Sequence, residues 1–396
     1  MQTSYSEKTL SFLTRVQGIF DFKVSTRDQI FGFLLLLYFF CSLCTYTTES
    51  KYFNYLTIIF GLVAFIHELF HIENQDLIFY WLFSLIIFGF LSSFFFYDKG
   101  SVATATLSII KYFLINIGMA FVLLRRPVQW QAMYAIFLLL CVYLFFMAFR
   151  GEDPDNILPK ASQNYISVLL IMTTVLLYIS LERAEKRITI IPALLTLILC
   201  LWAMGRSGII SSAILLLGVA FMKRYDTRNR LYLKILLFAV ILLILTGVLE
   251  TLFVEGNYLI RFAHKGLESS ARESILSYYV NQLDLSSLLF GFDPYRDNFL
   301  RSFLFNYHCS FLNLHSLIGF AAFPMIIFLL LSLCKSFIYN RLYSIFIIVI
   351  LFRAFTDEVL FFRNFDFILY YLSISMWIRV ASTSRGKIYR LNMVPT

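Results

Sequence analysis

The chain has 396 residues, of which 60% are hydrophobic and 14% charged, with 45 phenylalanines and a mean hydropathy of +0.77. Soluble domains carry more charge and interleave it with apolar residues, so a water-soluble fold is excluded, as is any large hidden soluble domain. The net charge of +9 is spread over short segments beside apolar runs and forms no dense patch; this excludes a nucleic-acid-binding surface and points to membrane orientation.

Residues 1–28 read as a polar, basic cytoplasmic tail. No small-residue cleavage site follows the first apolar run, so that run is expected to remain as an uncleaved span. Twelve spans are expected, over 29–46, 52–70, 77–97, 103–124, 130–149, 165–181, 188–204, 207–222, 231–253, 310–334, 342–355 and 359–378. A bilayer-spanning helix uses about 20 residues. Lipid cannot hydrogen-bond an open backbone, and the runs lack the alternation of barrel strands. The fold class is therefore all-α: a polytopic membrane protein of about 12 transmembrane helices over 29–381, closed by a cytoplasmic tail over 382–396. All the cysteines except Cys309 lie in or at the edge of apolar runs, and no disulfide is expected.

With the N-terminal tail in the cytoplasm, the segments after every second span carry Arg125 and Arg126, then Arg183, Lys186 and Arg187, then Lys223 and Arg224, then Lys335 and Arg341, then Arg379 and Arg385. This alternation satisfies the positive-inside rule and leaves both termini cytoplasmic. The opposite face, the periplasm in a bacterium, receives the loops 150–164 and 254–307, a tight turn at Arg206 and an acidic turn at Asp357 and Glu358. No duplicated half is evident, which disfavours a carrier built from paired repeats. One long external loop suits an enzyme working at the outer membrane surface.

Five constellations carry possible chemistry. His67, Glu68 and His71 spell HExxH, in which two histidines one helical turn apart bind zinc and the glutamate acts as base. The motif falls at the cytoplasmic end of the second span, away from the other histidines, and reads more simply as a polar helix end, with an intramembrane protease as the alternative. Arg206 and Ser207 open the eighth span, where free N–H groups and a guanidinium make a phosphate cradle, against the plainer reading of an arginine snorkelling at a hairpin. The long loop carries Arg272 and Arg296 among interleaved acids, a mixture common on solvated surfaces. It leads into His308, at the membrane boundary where a sugar hydroxyl could lose its proton, with His315 deeper on the same helix face to orient it or to pair inside the bundle. Finally, Arg353 with Asp357 and Arg363 with Asp366 stand four and three residues apart, as structural ion pairs or as parts of one polar pocket; Lys111 is a weaker member of the same class.

In order and spacing, the segment Ala203 to Gly208, the loop with Arg272 and Gly291, His308 to Gly319, and Thr356 to Arg363 resemble the bacterial O-antigen polymerase and O-antigen ligase superfamily. The likeness covers the C-terminal half; the N-terminal half agrees in span number and hydropathy. It implies a metal-independent, cofactor-free inverting glycosyltransferase with a GT-C-like architecture in the bacterial inner membrane, taking undecaprenyl-pyrophosphate-linked oligosaccharide on the periplasmic side. It further implies His308 as the catalytic residue and Arg206, Ser207, Arg272, Arg296, His315, Arg353, Asp357 and Arg363 as substrate-binding residues, with the bilayer, a chain-length regulator and a flippase as partners. The ligase pattern places Asn, Ser or Gln after the histidine and ends in Gly-x-x-Gly. Here Cys309 follows His308 and Ala322 stands in the last glycine's place, so polymerase is favoured over ligase. A lipid-linked-glycan flippase remains the alternative of another class.

The orientation is directly testable. A phosphatase fused near Arg272 should be active and one fused near Arg228 inactive; the reverse result would overturn the topology.

Overall fold

In hydrocarbon each backbone N–H and C=O must be satisfied within the protein, which leaves apolar runs of this length little choice but helix. The computed structural model describes residues 26–71, 102–159, 161–222, 271–294 and 297–378, with residues 84 and 87, and contains no strand among them. The helices are α1 (Thr26–Thr47), α2 (Tyr52–Leu69), α3 (Val102–Arg125), α4 (Trp130–Phe149), α5 (Asn164–Arg183), α6 (Ile191–Trp202), α7 (Arg206–Phe221), α8 (Ala271–Asn281), α9 (Leu285–Phe290), α10 (Asn298–Arg301), α11 (Ser310–Ile318), α12 (Ala322–Tyr339), α13 (Arg341–Thr356) and α14 (Asp366–Ile374). Among the described residues, five segments are long and apolar enough to cross a membrane: Asp28–Thr47, Tyr52–Leu69, Trp130–Phe149, Asn164–Arg183 and Ser310–Tyr339. The chain is an α-helical membrane protein. Apart from residues 84 and 87, the expected spans 77–97 and 231–253 lie outside the described residues, as do residues 1–25, the tail 382–396 and residues 254–270 of the long loop.

α5 is the hub. Every residue from Ile166 to Leu181 is buried, as expected of a helix apolar on all sides, and α4, α6, α7 and α13 pack around it. A second group joins α1, α2 and α3, and α14 closes onto α3, α12 and α13. Hydroxyls inside the bundle turn back onto their own helix, as Thr173 does to the Leu169 carbonyl at 2.6 Å and Ser180 to that of Leu176 at 2.8 Å. Their donors are thereby spent locally.

One end of the bundle is basic. Arg126 pairs with Asp28, Arg125 Nη1 donates to Glu68 Oε2 at 2.9 Å, Arg183 Nη2 donates to the Leu124 carbonyl at 3.2 Å, and Asn340 Nδ2 donates to Glu182 Oε1 at 2.9 Å. The ends of α1, α2, α3, α5 and α13 therefore meet where the alternation of basic segments requires. The other end, the loop end, carries residues 150–159 and 161–163 and the α8–α10 layer.

Two expected spans differ from observation. The run expected over 310–334 is broken: α11 stops at Gly319, a 3-10 turn spans Gly319–Ala321, and α12 continues to Tyr339. Gly319 has φ +53, and a Cβ there would lie 2.2 Å from the Leu289 carbonyl oxygen. The break is thus where α9 presses its backbone against the span, a contact only glycine permits. Gly291, with φ +83, makes the reciprocal approach to the Ser316 carbonyl.

The span expected over 359–378 is a helix only from Asp366. Before it, residues 357–365 form a coil whose Val359, Leu360, Phe361, Phe362, Asn364 and Phe365 are buried. Its polar groups are met by side chains. Val359 and Leu360 N–H donate to Ser310 Oγ at 2.9 and 3.1 Å, and Phe361 and Arg363 N–H donate to the Asp366 carboxylate at 3.1 and 2.9 Å. Tyr38 Oη donates to the Asn364 carbonyl at 2.8 Å. Asn116 Nδ2 donates to the Arg363 carbonyl at 2.7 Å, while its Oδ1 accepts from Phe367 N–H at 3.0 Å.

Asn116→Leu should strip a buried carbonyl and a buried N–H of their partners at about 1–3 kcal/mol each, seen as a clear loss of thermal stability in detergent. Tyr38→Phe, which orphans one carbonyl, should cost less; equal stability of Asn116→Leu and the parent would show that the coil does not depend on these bonds.

Candidate functional site at the loop end

The site is built from the end of α13. Arg353, on its last turn, is 1% exposed. Nη1 donates to Ser207 Oγ at 2.7 Å and to Thr356 Oγ1 at 3.2 Å; Nη2 donates to the Asn164 carbonyl at 3.0 Å and lies 3.7 Å from Asp357 Oδ2. A buried guanidinium must be met in this way, because an unpaired charge in a low dielectric is severely destabilising. Arg353 thereby ties the starts of α5 and α7 to Asp357.

On its other oxygen, Asp357 Oδ1 stands 3.9 Å from His308 Nδ1 and accepts the Glu358 N–H at 2.9 Å. Burial by itself would raise the Asp357 carboxyl, but the neighbouring imidazole, the Arg353 guanidinium and the Glu358 amide outweigh it and hold the group below its ordinary range. Glu358 moves the opposite way: burial raises it despite its pairing with Arg363.

His308 precedes α11 in a left-handed conformation, φ +50, and the Asn306 carboxamide oxygen accepts its N–H at 2.7 Å. A left-handed histidine costs of order 1–3 kcal/mol and persists only when its surroundings impose it. Here the turn holds the imidazole, about one third exposed, at the surface beside Asp357. Directly behind it, Ser310 Oγ donates to the Asp357 carbonyl at 2.8 Å, so the histidine, the aspartate and the buried coil form one connected unit.

The expected residues therefore divide. His308, Asp357, Arg353 and Ser207 are brought together. Ser207 Oγ accepts a hydrogen bond from the buried Arg353. Arg206, the first residue of α7, is exposed at the same end, and Arg272, exposed on α8, lies close enough for its charge to act on the Cys309 thiol. Arg363 pairs with Glu358 and not with Asp366, whose carboxylate instead accepts the Phe361 and Arg363 backbone amides. The expected pairing three residues apart fails because Asp366 turns back along the chain to satisfy the coil. Arg296 lies outside the described residues.

His315 is not beside His308. Tyr279 Oη and His315 Nδ1 are 2.5 Å apart, and His315 Nε2 is 3.0 Å from the Leu288 carbonyl. A carbonyl only accepts, so Nε2 carries the proton and Nδ1 accepts from the tyrosine. Both nitrogens are engaged in holding the α8–α9 layer to α11, the pairing inside the bundle that the sequence left open. At the basic end, Glu68 of the HExxH segment is 3% exposed, with Arg125 Nη1 at 2.9 Å and Arg126 Nη2 at 3.7 Å. It serves as their counter-ion and is not available as a metalloprotease base. Among the described residues, no group of three His, Cys, Asp or Glu side chains could hold a metal ion.

Several participants gave only a weak sign in the sequence. Asn116 and Asp366 are polar residues inside apolar runs, the usual mark of an intramembrane task, whereas Ser310, Thr356 and the Asn164 carbonyl carry no sequence signal for their roles. The chain matches no family model, no curated protein and no solved structure.

Asp357 yields a pH prediction. Its folded pKa is depressed, so its contribution to stability is full above the ordinary carboxylate value of about 3.9 and is lost as pH falls through the lower folded value. Unfolding in detergent should show this acid-side loss in the parent and a flatter profile in Asp357→Asn. Arg353→Met should cost about 3–5 kcal/mol by leaving Asp357 uncompensated, and adding Asp357→Asn should recover part of it.

Proposed function

We propose that this chain is a glycosyltransferase of the bacterial inner membrane, an O-antigen polymerase that joins undecaprenyl-pyrophosphate-linked oligosaccharide repeats on the periplasmic face. In this reading the loop end is periplasmic, both termini are cytoplasmic, and the full chain makes about twelve spans in a GT-C-like arrangement. The observation that carries it is His308, held in a left-handed turn at the membrane boundary with Nδ1 3.9 Å from Asp357 Oδ1, on the end where Arg206 and Arg272 are exposed.

With Nδ1 turned to Asp357, Nε2 is the nitrogen that takes the proton of the acceptor hydroxyl. The hydroxyl oxygen attacks the anomeric carbon of the donor, and the bond from that carbon to the pyrophosphate oxygen breaks with its electron pair on the leaving group. Attack from the opposite face inverts the centre. The imidazolium that forms is stabilised by Asp357, itself fixed by Arg353. Arg206 and Arg272 supply positive charge for the departing pyrophosphate, where preorganised donors are most effective.

The test uses purified protein in detergent with synthetic lipid-pyrophosphate repeat units, excess chelator and no nucleotide sugar. Chain growth is expected. General-base catalysis contributes about a hundredfold to ten-thousandfold, so His308→Ala should lose at least that lower factor. Arg206→Ala should also abolish growth, with only partial return in Arg206→Lys, because an ammonium lacks the planar fork. Transfer that occurs only when lipid A core is supplied would select a ligase instead. No transfer, with glycan crossing vesicle membranes, would overturn the enzyme in favour of a flippase.

A further inference from the structure

The α8–α9 layer has more apolar surface than its own small core uses. Ile275 and Tyr279 of α8 pack with Leu300 and Tyr307 beneath the layer. A second stripe on α8, Leu276 and Val280, is exposed, and so are Leu285 and Leu289 of α9, with Leu285 74% exposed. Exposed Arg272 and Glu273 edge that stripe one turn earlier, and the exposed Ser274, Ser277 and Asn281 lie on the side away from it. A short apolar stripe with charged side chains at its edge suits the boundary between acyl chains and headgroups, where the charged ends reach outward.

What covers this stripe is indicated by what it adjoins. The Leu289 carbonyl abuts Gly319, and His315 joins the Leu288 carbonyl at 3.0 Å while its ring lies 5.5 Å from that of Phe323. Phe323 in turn lies 5.7 Å from Phe320. Both phenylalanines are exposed, and the exposed face runs on along α12 through Ile327, Leu330 and Leu331, the outer face of a helix that crosses the membrane. The exposed leucines of α9 thus stand next to the exposed apolar face of that helix.

We infer that α8 and α9 form an interfacial element whose Leu276, Val280, Leu285 and Leu289 stripe is seated in the acyl chains of the leaflet at the loop end. The Tyr279–His315–Leu288 bonds and the Gly291–Gly319 contact fix its depth against α11. Neither a glycan substrate nor an enzymatic activity is needed for this placement.

The test places the photoreactive residue p-benzoylphenylalanine in the full chain, in nanodiscs of phosphatidylethanolamine and phosphatidylglycerol. It replaces Leu276, Val280 or Leu285, with Ser277 and Asn281 as positions on the polar side. After irradiation, lipid adducts by mass spectrometry should be several-fold more abundant at the three apolar positions than at the two polar ones. Equal labelling at all five, no lipid adduct at the apolar three, or a covalent dimer in its place would overturn the inference; the last would make the stripe an interface between copies. Should these variants fail to fold, Leu289→Trp gives an independent measurement: lipids brominated on their acyl chains should quench the added fluorescence, and absence of quenching would overturn the inference equally.

Discussion

A stretch of backbone without helical hydrogen bonds can enter a membrane-spanning bundle only if side chains replace the missing partners, and the coil over 357–365 places that demand on its surroundings. Ser310, Asp366, Asn116 and Tyr38 answer it from four different helices. Because each reaches a particular amide or carbonyl, the coil fixes the relative positions of α1, α3, α11 and α14 as firmly as packing does. Phe361 and Phe362 adopt φ of +62 and +69 within it, backbone strain that the buried hydrogen bonds offset.

The acidic turn that opens the coil acquires its chemistry from the same demand. Asp357 lies where α13 ends, with Arg353 one turn behind it and His308 in front. The buried guanidinium cannot leave without stranding the carboxylate, nor the carboxylate without stranding the guanidinium. The Arg353 guanidinium and the hydrogen bonds around Asp357 therefore hold its carboxyl low against burial, and an ionised carboxylate beside an imidazole stabilises the imidazolium that forms when it takes up a proton. Stability and proposed chemistry draw on one set of contacts, so substitutions at Arg353 affect both.

Among the described residues histidine serves three ends, and surroundings decide which. His315 has both nitrogens spent on Tyr279 and Leu288 and acts as a bolt between the outer layer and the span. His67 and His71 stack with ring centroids 4.5 Å apart beside a glutamate that balances two arginines. His308 alone of the three settings combines a left-handed turn with partial exposure and a half-buried aspartate beside it.

Hydropathy and charge determined much of the architecture by themselves. Water cannot host these apolar runs and lipid cannot host their open backbone, so helices, their approximate limits and the gathering of Arg125, Arg126 and Arg183 at one end follow from composition and order. The gathering of His308, Arg353 and Asp357 at the other end also follows, since each stands beside a span terminus on the same side. Hydropathy could not show that the last apolar run begins as coil, or that Gly319 breaks another, because Phe361, Phe362 and Phe365 are as apolar in a coil as in a helix. Pairing was equally hidden: Arg363 takes Glu358 and leaves Asp366 to the backbone, and His315 takes Tyr279 from a separate layer. Such choices depend on which of several nearby or distant partners lies within hydrogen-bond reach once the chain has folded, a condition that sequence spacing cannot express and that only the packed structure decides.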